Sequence, residues 1–74
     1  MTQLPVVSSK DVLKVLTKSG YYIRNQRGSH IHLRHPTKTP LTVPNHATIA
    51  KGTLIQILRA AEITKEEFTE LLKK

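Results

Sequence analysis

His30 and His32 stand two residues apart in the run Gly28-Ser29-His30-Ile31-His32, with Arg24 upstream and Arg34 downstream. Imidazole has an ordinary pKa of about 6.5, so it can take and return a proton near neutrality. That suits cleavage of a ribose phosphodiester, where the nucleophile, the 2′-hydroxyl, is already part of the substrate. A protein that sets the strand in line, removes that proton and gives another to the departing 5′-oxygen needs no metal and no covalent intermediate. The expected product is a 2′,3′-cyclic phosphate. A guanidinium from Arg24 or Arg34 would offset the charge that builds on phosphorus. His30 is the candidate base. His32 is a candidate second acid/base or phosphate contact, and is equally readable as a solvated neighbour.

Other chemistries fit less well. Two histidines at i and i+2 of a strand point the same way and could share a metal. The chain has no Asp or Glu between residues 12 and 61, however, so further ligands would have to come from distant helices. The same gap disfavours two-metal nucleases, which need clustered acids. Ser29 is next to His30, which in a strand would send it to the inner face, away from a serine–histidine pair. No metal or small-molecule cofactor is expected. His35 and His46 fall at strand and loop ends and read as structural or peripheral.

With 74 residues the chain forms one domain, 1–74, near the lower size at which an apolar core suffices. The absence of cysteine excludes disulfides, iron–sulfur clusters and thiolate zinc sites. The first residues carry neither a basic leader nor a long apolar run, so a cytoplasmic address with no membrane partner is expected. A formal charge of +7 favours a polyanionic partner. Four of the five acids, Glu62, Glu66, Glu67 and Glu70, lie near the C-terminus, so nine Lys and Arg of residues 1–61 face Asp11 alone. The basic surface belongs to the body of the fold.

Elements that would position these groups can be read along the chain. Ser8-x-x-Asp11 is a helix-start pattern, and Val12, Val15 and Leu16 follow helical spacing, with Lys10, Lys14 and Lys18 on the other side. That lysine stripe suits solvent or phosphate equally. Gly20 ends the helix. The period then changes to two: Tyr21–Arg24 predicts a first strand, Arg27-Gly28 a turn, and His30–His35 an antiparallel second strand. Leu41 and Val43 predict a third strand closed by Pro44. Leu54, Ile57, Leu58 and Ala61 mark a second helix opened by Lys51-Gly52-Thr53, whose free amides and glycine suit an RNA phosphate or merely start the helix. Thr64-x-x-Glu67 caps a third, with Phe68, Leu71 and Leu72 on its apolar side.

The order helix, three strands, helix, helix predicts an α+β fold in which a three-stranded antiparallel sheet is covered by helices on one face. If Tyr21, Ile23, Ile31, Leu33, Leu41 and Val43 face the helices, strict alternation puts Tyr22, Arg24, His30, His32, Arg34 and Thr42 on the open side.

Gly28-Ser29-His30 on the second strand, the Val43-Pro44 strand end, Lys51-Gly52-Thr53-Leu54 opening a helix, and Ile57-Leu58-Arg59 followed by Glu66-Glu67-Phe68 together resemble the HicA toxins. The resemblance covers nearly the whole chain. It implies a fold like that of the double-stranded-RNA-binding domain, and an endoribonuclease (an mRNA interferase) that cuts messenger RNA when its HicB antitoxin is lost. It also implies His30 as the catalytic histidine; charge and placement, independently of the resemblance, make Arg24, Arg34, Lys14, Lys51, Gly52 and Thr53 candidate RNA contacts. The family pattern assigns no role to His32 or His35. A non-catalytic RNA-binding module is the alternative, since it would use the same fold and charge without a histidine.

Overall fold

The computed structural model describes residues 3–74. Helix α1 spans Ser9–Lys18, strands β1, β2 and β3 span Tyr22–Arg27, His30–Arg34 and Leu41–Pro44, and helices α2 and α3 span Lys51–Ala61 and Lys65–Lys73. The sheet is antiparallel with strand order β1-β2-β3.

Both capping boxes form as their sequences predict. The Asp11 amide donates to Ser8 Oγ at 3.3 Å while the Ser8 amide donates to the Asp11 carboxylate at 3.0 Å. Thr64 and Glu67 exchange the equivalent bonds, each at 3.0 Å. The Thr64 backbone bond, joined by the Thr64 side chain, lowers the Glu67 pKa. Gly20, at φ +101°, takes the chain out of α1 so that the Tyr21 amide reaches back to the Leu16 carbonyl at 3.0 Å. Helix α2 ends on a left-handed residue that is not glycine, Glu62 at φ 59°.

The core is a single cluster between the helices and one face of the sheet. Phe68, Leu16, Leu33, Leu54, Val12, Val15 and Val43 are its most completely buried large side chains. Burial of each such side chain contributes about 1.5–3 kcal/mol before conformational entropy is charged against it. On β2 and β3, Ile31, Leu33, Leu41 and Val43 are buried while His30, Arg34 and Thr42 are exposed, so the helices cover one face and leave the other open.

Long contacts tie the chain ends to this frame. Val7 bridges to Ile49, and buried Ser9 donates its hydroxyl to the Asn45 side chain at 3.1 Å and its amide to the His46 carbonyl at 3.1 Å. Lys14 and Lys18 do not form a free stripe. Their ammonium groups donate to the Leu72 and Leu71 carbonyls of α3, both at 3.1 Å, and Lys38 caps α2 in the same way at the Ala61 carbonyl, 2.9 Å. Cations at helix C-termini satisfy orphan carbonyls and oppose the helix dipole. Desolvation at that contact, followed by the charges of Lys14 and Lys74, lowers the Lys18 pKa.

Three expectations about the sheet need correction. Tyr21 is buried, but it precedes β1 rather than opening it. Ile23 is 51% exposed, because β1 is an edge strand whose extensive contacts are with β2, whereas α1 and α2 pack on β3. Ser29 is exposed in the turn, outside the ladder, where strand alternation has no force.

Candidate functional site

The open face is organised by the β1–β2 hairpin. Gly28, at φ +57°, and Ser29 form its two-residue turn, as in a type II′ turn with glycine first. A turn that short pairs the residues flanking it, so Arg27 lies opposite His30. On the far side of β2, His30 pairs with Pro44, and the Asn45 amide donates to the Ser29 carbonyl, which docks the end of β3 against the turn.

Strict alternation along β1 fails at one point. Tyr22 pairs with Arg34 and Ile23 with Leu33, but the next pair is Asn25 with His32, so Arg24 is the extra residue of a β-bulge. From the bulge onward the parity is reversed from the expected one. Asn25 and Arg27 therefore share the open face with His32 and His30. The extra residue Arg24 lines the same cleft as Asn25, so the bulge presents both side chains there.

That cleft, of about 370 Å³, is lined by Arg24, Asn25 and Arg27 from β1, His32 and Arg34 from β2, and Thr42 from β3, with Pro40 contributing as well. His30 stands next to it, beside Arg27, rather than in its lining. Three guanidiniums and two imidazoles thus sit on or beside one concave surface drawn from a stretch of sequence without any acid. The Nδ1 of His32 lies 3.1 Å from Thr42 Oγ1. With Nδ1–H donating to that hydroxyl, Nε2 points away from Thr42 as the working nitrogen.

The third histidine of this region is engaged elsewhere. His35 Nδ1 accepts from the amides of Thr37 at 3.0 Å and Lys38 at 3.1 Å, and its Nε2 lies 3.1 Å from the Ser19 carbonyl, to which it donates. Its ring packs on Tyr21 with centroids 4.8 Å apart. The Tyr21 hydroxyl in turn donates to the Thr39 carbonyl at 2.8 Å. Burial raises the Tyr21 pKa, and the charge of Glu62 adds to the effect. His35 is a structural hub that holds residues 36–39 against the end of α1.

The model of one protein family, described as the HicA toxin of bacterial toxin-antitoxin, matches residues 9–63. The chain belongs to the HicA toxin family. It is a toxin of the toxin–antitoxin class. A comparison with curated proteins gives no match. The HicA match begins with α1 and ends just past α2, so it contains the whole sheet and every residue of the cleft, and it excludes α3.

Of the residues singled out from the sequence, the structure brings His30, His32, Arg24 and Arg34 to the open face, with Gly28 and Ser29 as the turn beside them. Lys51, Gly52 and Thr53 form the first turn of α2, outside the cleft. The Ala50 N-cap makes no side-chain bond there, so the helix start offers its amides uncovered by a cap. Lys14 is directed to α3 and not to this face. Asn25 and Arg27 were missed. The turn is Gly28-Ser29 and not Arg27-Gly28 as the sequence suggests, so β1 runs on past Arg24 and Arg27 ends it opposite His30. The bulge that re-aims Asn25 leaves no local sign. Among the described residues, no group of three or more His, Asp or Glu side chains is placed to hold a metal.

Proposed function

We propose that this HicA toxin is an endoribonuclease that cuts messenger RNA by histidine acid/base chemistry on the open sheet face. The observation that carries the reading is the pairing of His30 and His32 on one exposed, arginine-lined and acid-free surface. Two residues of strand separate their backbones by about 6.6 Å, enough to seat a phosphate between the two rings. His30 takes the proton from the ribose 2′-hydroxyl, and the freed oxygen attacks phosphorus. The bond to the 5′-oxygen breaks as His32, held at Nδ1 by Thr42, passes it a proton from Nε2. The RNA is left as a 2′,3′-cyclic phosphate and a 5′-hydroxyl. Arg27, opposite His30, with Arg24 and Arg34, offsets charge on the phosphoryl oxygens. Lys51 and the uncapped amides near Gly52 and Thr53 offer the strand a second phosphate contact. A HicB-type antitoxin bearing acidic groups would silence the toxin by covering this face.

The test is cleavage of a labelled oligoribonucleotide by the purified chain and by His30→Ala. Loss of cleavage with binding retained, and a cyclic-phosphate product from the intact chain, is the expected outcome. Full cleavage by His30→Ala would remove His30 from the mechanism. Binding without any cleavage by the intact chain would instead support the non-catalytic RNA-binding module.

A further inference from the structure

β1 is the least protected element of the fold. All six of its residues are exposed, and it is a terminal strand of the sheet. Among the described residues, Tyr22 and Ile23, at 53% and 51% exposure, are two of the three exposed large hydrophobics, and they lie on opposite faces of the strand, opposite Arg34 and Leu33 respectively. An edge strand presents alternate amides and carbonyls ready for pairing. Natural proteins guard such edges with bulges and charged side chains, and here the bulge at Arg24 and the guanidiniums of Arg24 and Arg27 do so. These guards are selective. A second copy of the chain would set Arg24 and Arg27 against each other, whereas a strand carrying carboxylates would meet opposite charge along its length.

We infer that the β1 edge is a docking rail for an extended, acid-bearing segment of a partner protein, which adds to the sheet as a fourth strand. Its backbone pairs with the outward groups of Tyr22–Arg27, its apolar residues cover Ile23 on the helix side, and its carboxylates meet Arg24 and Arg27. RNA fits this rail less well, because the exposed face of Ile23 is apolar and lies on the side away from the arginine-lined cleft. A strand seated here would hold its protein beside His30, through Arg27, at the β1 rim of the cleft. The inference does not depend on how His30 acts.

The probe is a short synthetic peptide alternating Val and Glu, with a Val/Lys peptide as control, added to the full-length, isotope-labelled chain. NMR-detected amide exchange is expected to slow at alternate positions of residues 22–27 with the Glu peptide and not with the Lys peptide. Ile23→Lys and Arg27→Glu are each expected to weaken that binding about tenfold, a change of about 1.4 kcal/mol. His30→Ala should bind the peptide as the unaltered chain does, so failure of the cleavage reading leaves this result intact. Equal binding of the Lys peptide, protection confined to α2 and α3, dimerisation through β1, or slowed exchange of the same edge amides by oligouridylate would each overturn the inference.

Discussion

On β2, Ile31 and Leu33 are almost fully buried, while His30 and Arg34, their neighbours in sequence, are exposed. The two faces of one strand therefore answer to different demands. Side chains on the covered face join the single core cluster and set the stability of the domain. Those on the open face contact little, and their loss should change chemistry without changing the fold. His35, one residue past β2, shows what a histidine looks like when it serves the first purpose: both ring nitrogens are bonded and the ring packs at a tilt on Tyr21.

The sharpest way to break this division is to truncate each face in turn. Phe68→Ala should cost about 3–5 kcal/mol, a large part of the total for a domain of this size, and should shift the urea midpoint or leave the chain partly unfolded. His30→Ala should stay within about 0.5 kcal/mol in the same titration while losing roughly 10²–10⁴-fold in RNA cleavage. A large stability loss at His30 would show that the open face is not independent of the core.

Gly20→Ala comes next. It places a side chain at φ +101° with its Cβ 2.8 Å from His35 Nε2, so it strains the end of α1 and displaces the ring from Ser19. A loss of about 1–3 kcal/mol in thermal unfolding is expected, without loss of cleavage per folded molecule. Thr42→Val is smaller and acts on the other face. It keeps the shape but removes the hydroxyl bonded to His32 Nδ1, and should lower cleavage about tenfold and move the alkaline limb of its pH profile, the limb set by the general acid, while melting unchanged.

The smallest effect concerns Tyr21. Its folded pKa is raised by burial and by Glu62, so the folded state holds the phenol's proton more tightly than the unfolded chain does. The resulting stabilisation is fully present below the ordinary phenol pKa of about 10 and is lost as pH rises through the raised value. Tyr21→Phe should cost about 0.5–1.5 kcal/mol at neutral pH through the bond to the Thr39 carbonyl, and should flatten the alkaline fall in stability measured by urea titration.

Local signals in the sequence read through to the structure, and signals that depend on pairing did not. Ser8 with Asp11 and Thr64 with Glu67 mark their helix starts because every group in a capping box lies within four residues. Period-two alternation placed Ile31, Leu33, Leu41 and Val43 inside and His30, His32 and Arg34 outside, since β2 and β3 are regular. It failed on β1, where the bulge arises from the match between two strands and shifts Asn25 and Arg27 to the open side. Ile23 looked like a core residue because its neighbours have that pattern, yet its burial depends on how far the helices reach across the sheet. Lys14 reads equally as a solvated or a phosphate-facing cation, and its hydrogen-bond partner, the Leu72 carbonyl, is 58 residues away.

The lysines that hold the ends of α2 and α3 also shape how the molecule meets a polyanion. Lys14, Lys18 and Lys38 sit against the negative ends of helix dipoles, and four of the five acids lie from Glu62 onward, so positive potential is damped on that side. On the sheet side the guanidiniums of Arg24, Arg27 and Arg34 share a cleft with no such damping. The positive charge that no neighbouring acid opposes in sequence therefore gathers on the open face. A polyanion approaching the protein would be drawn and turned toward that face, and if RNA is the partner its rate of encounter should fall as salt shortens the reach of the field.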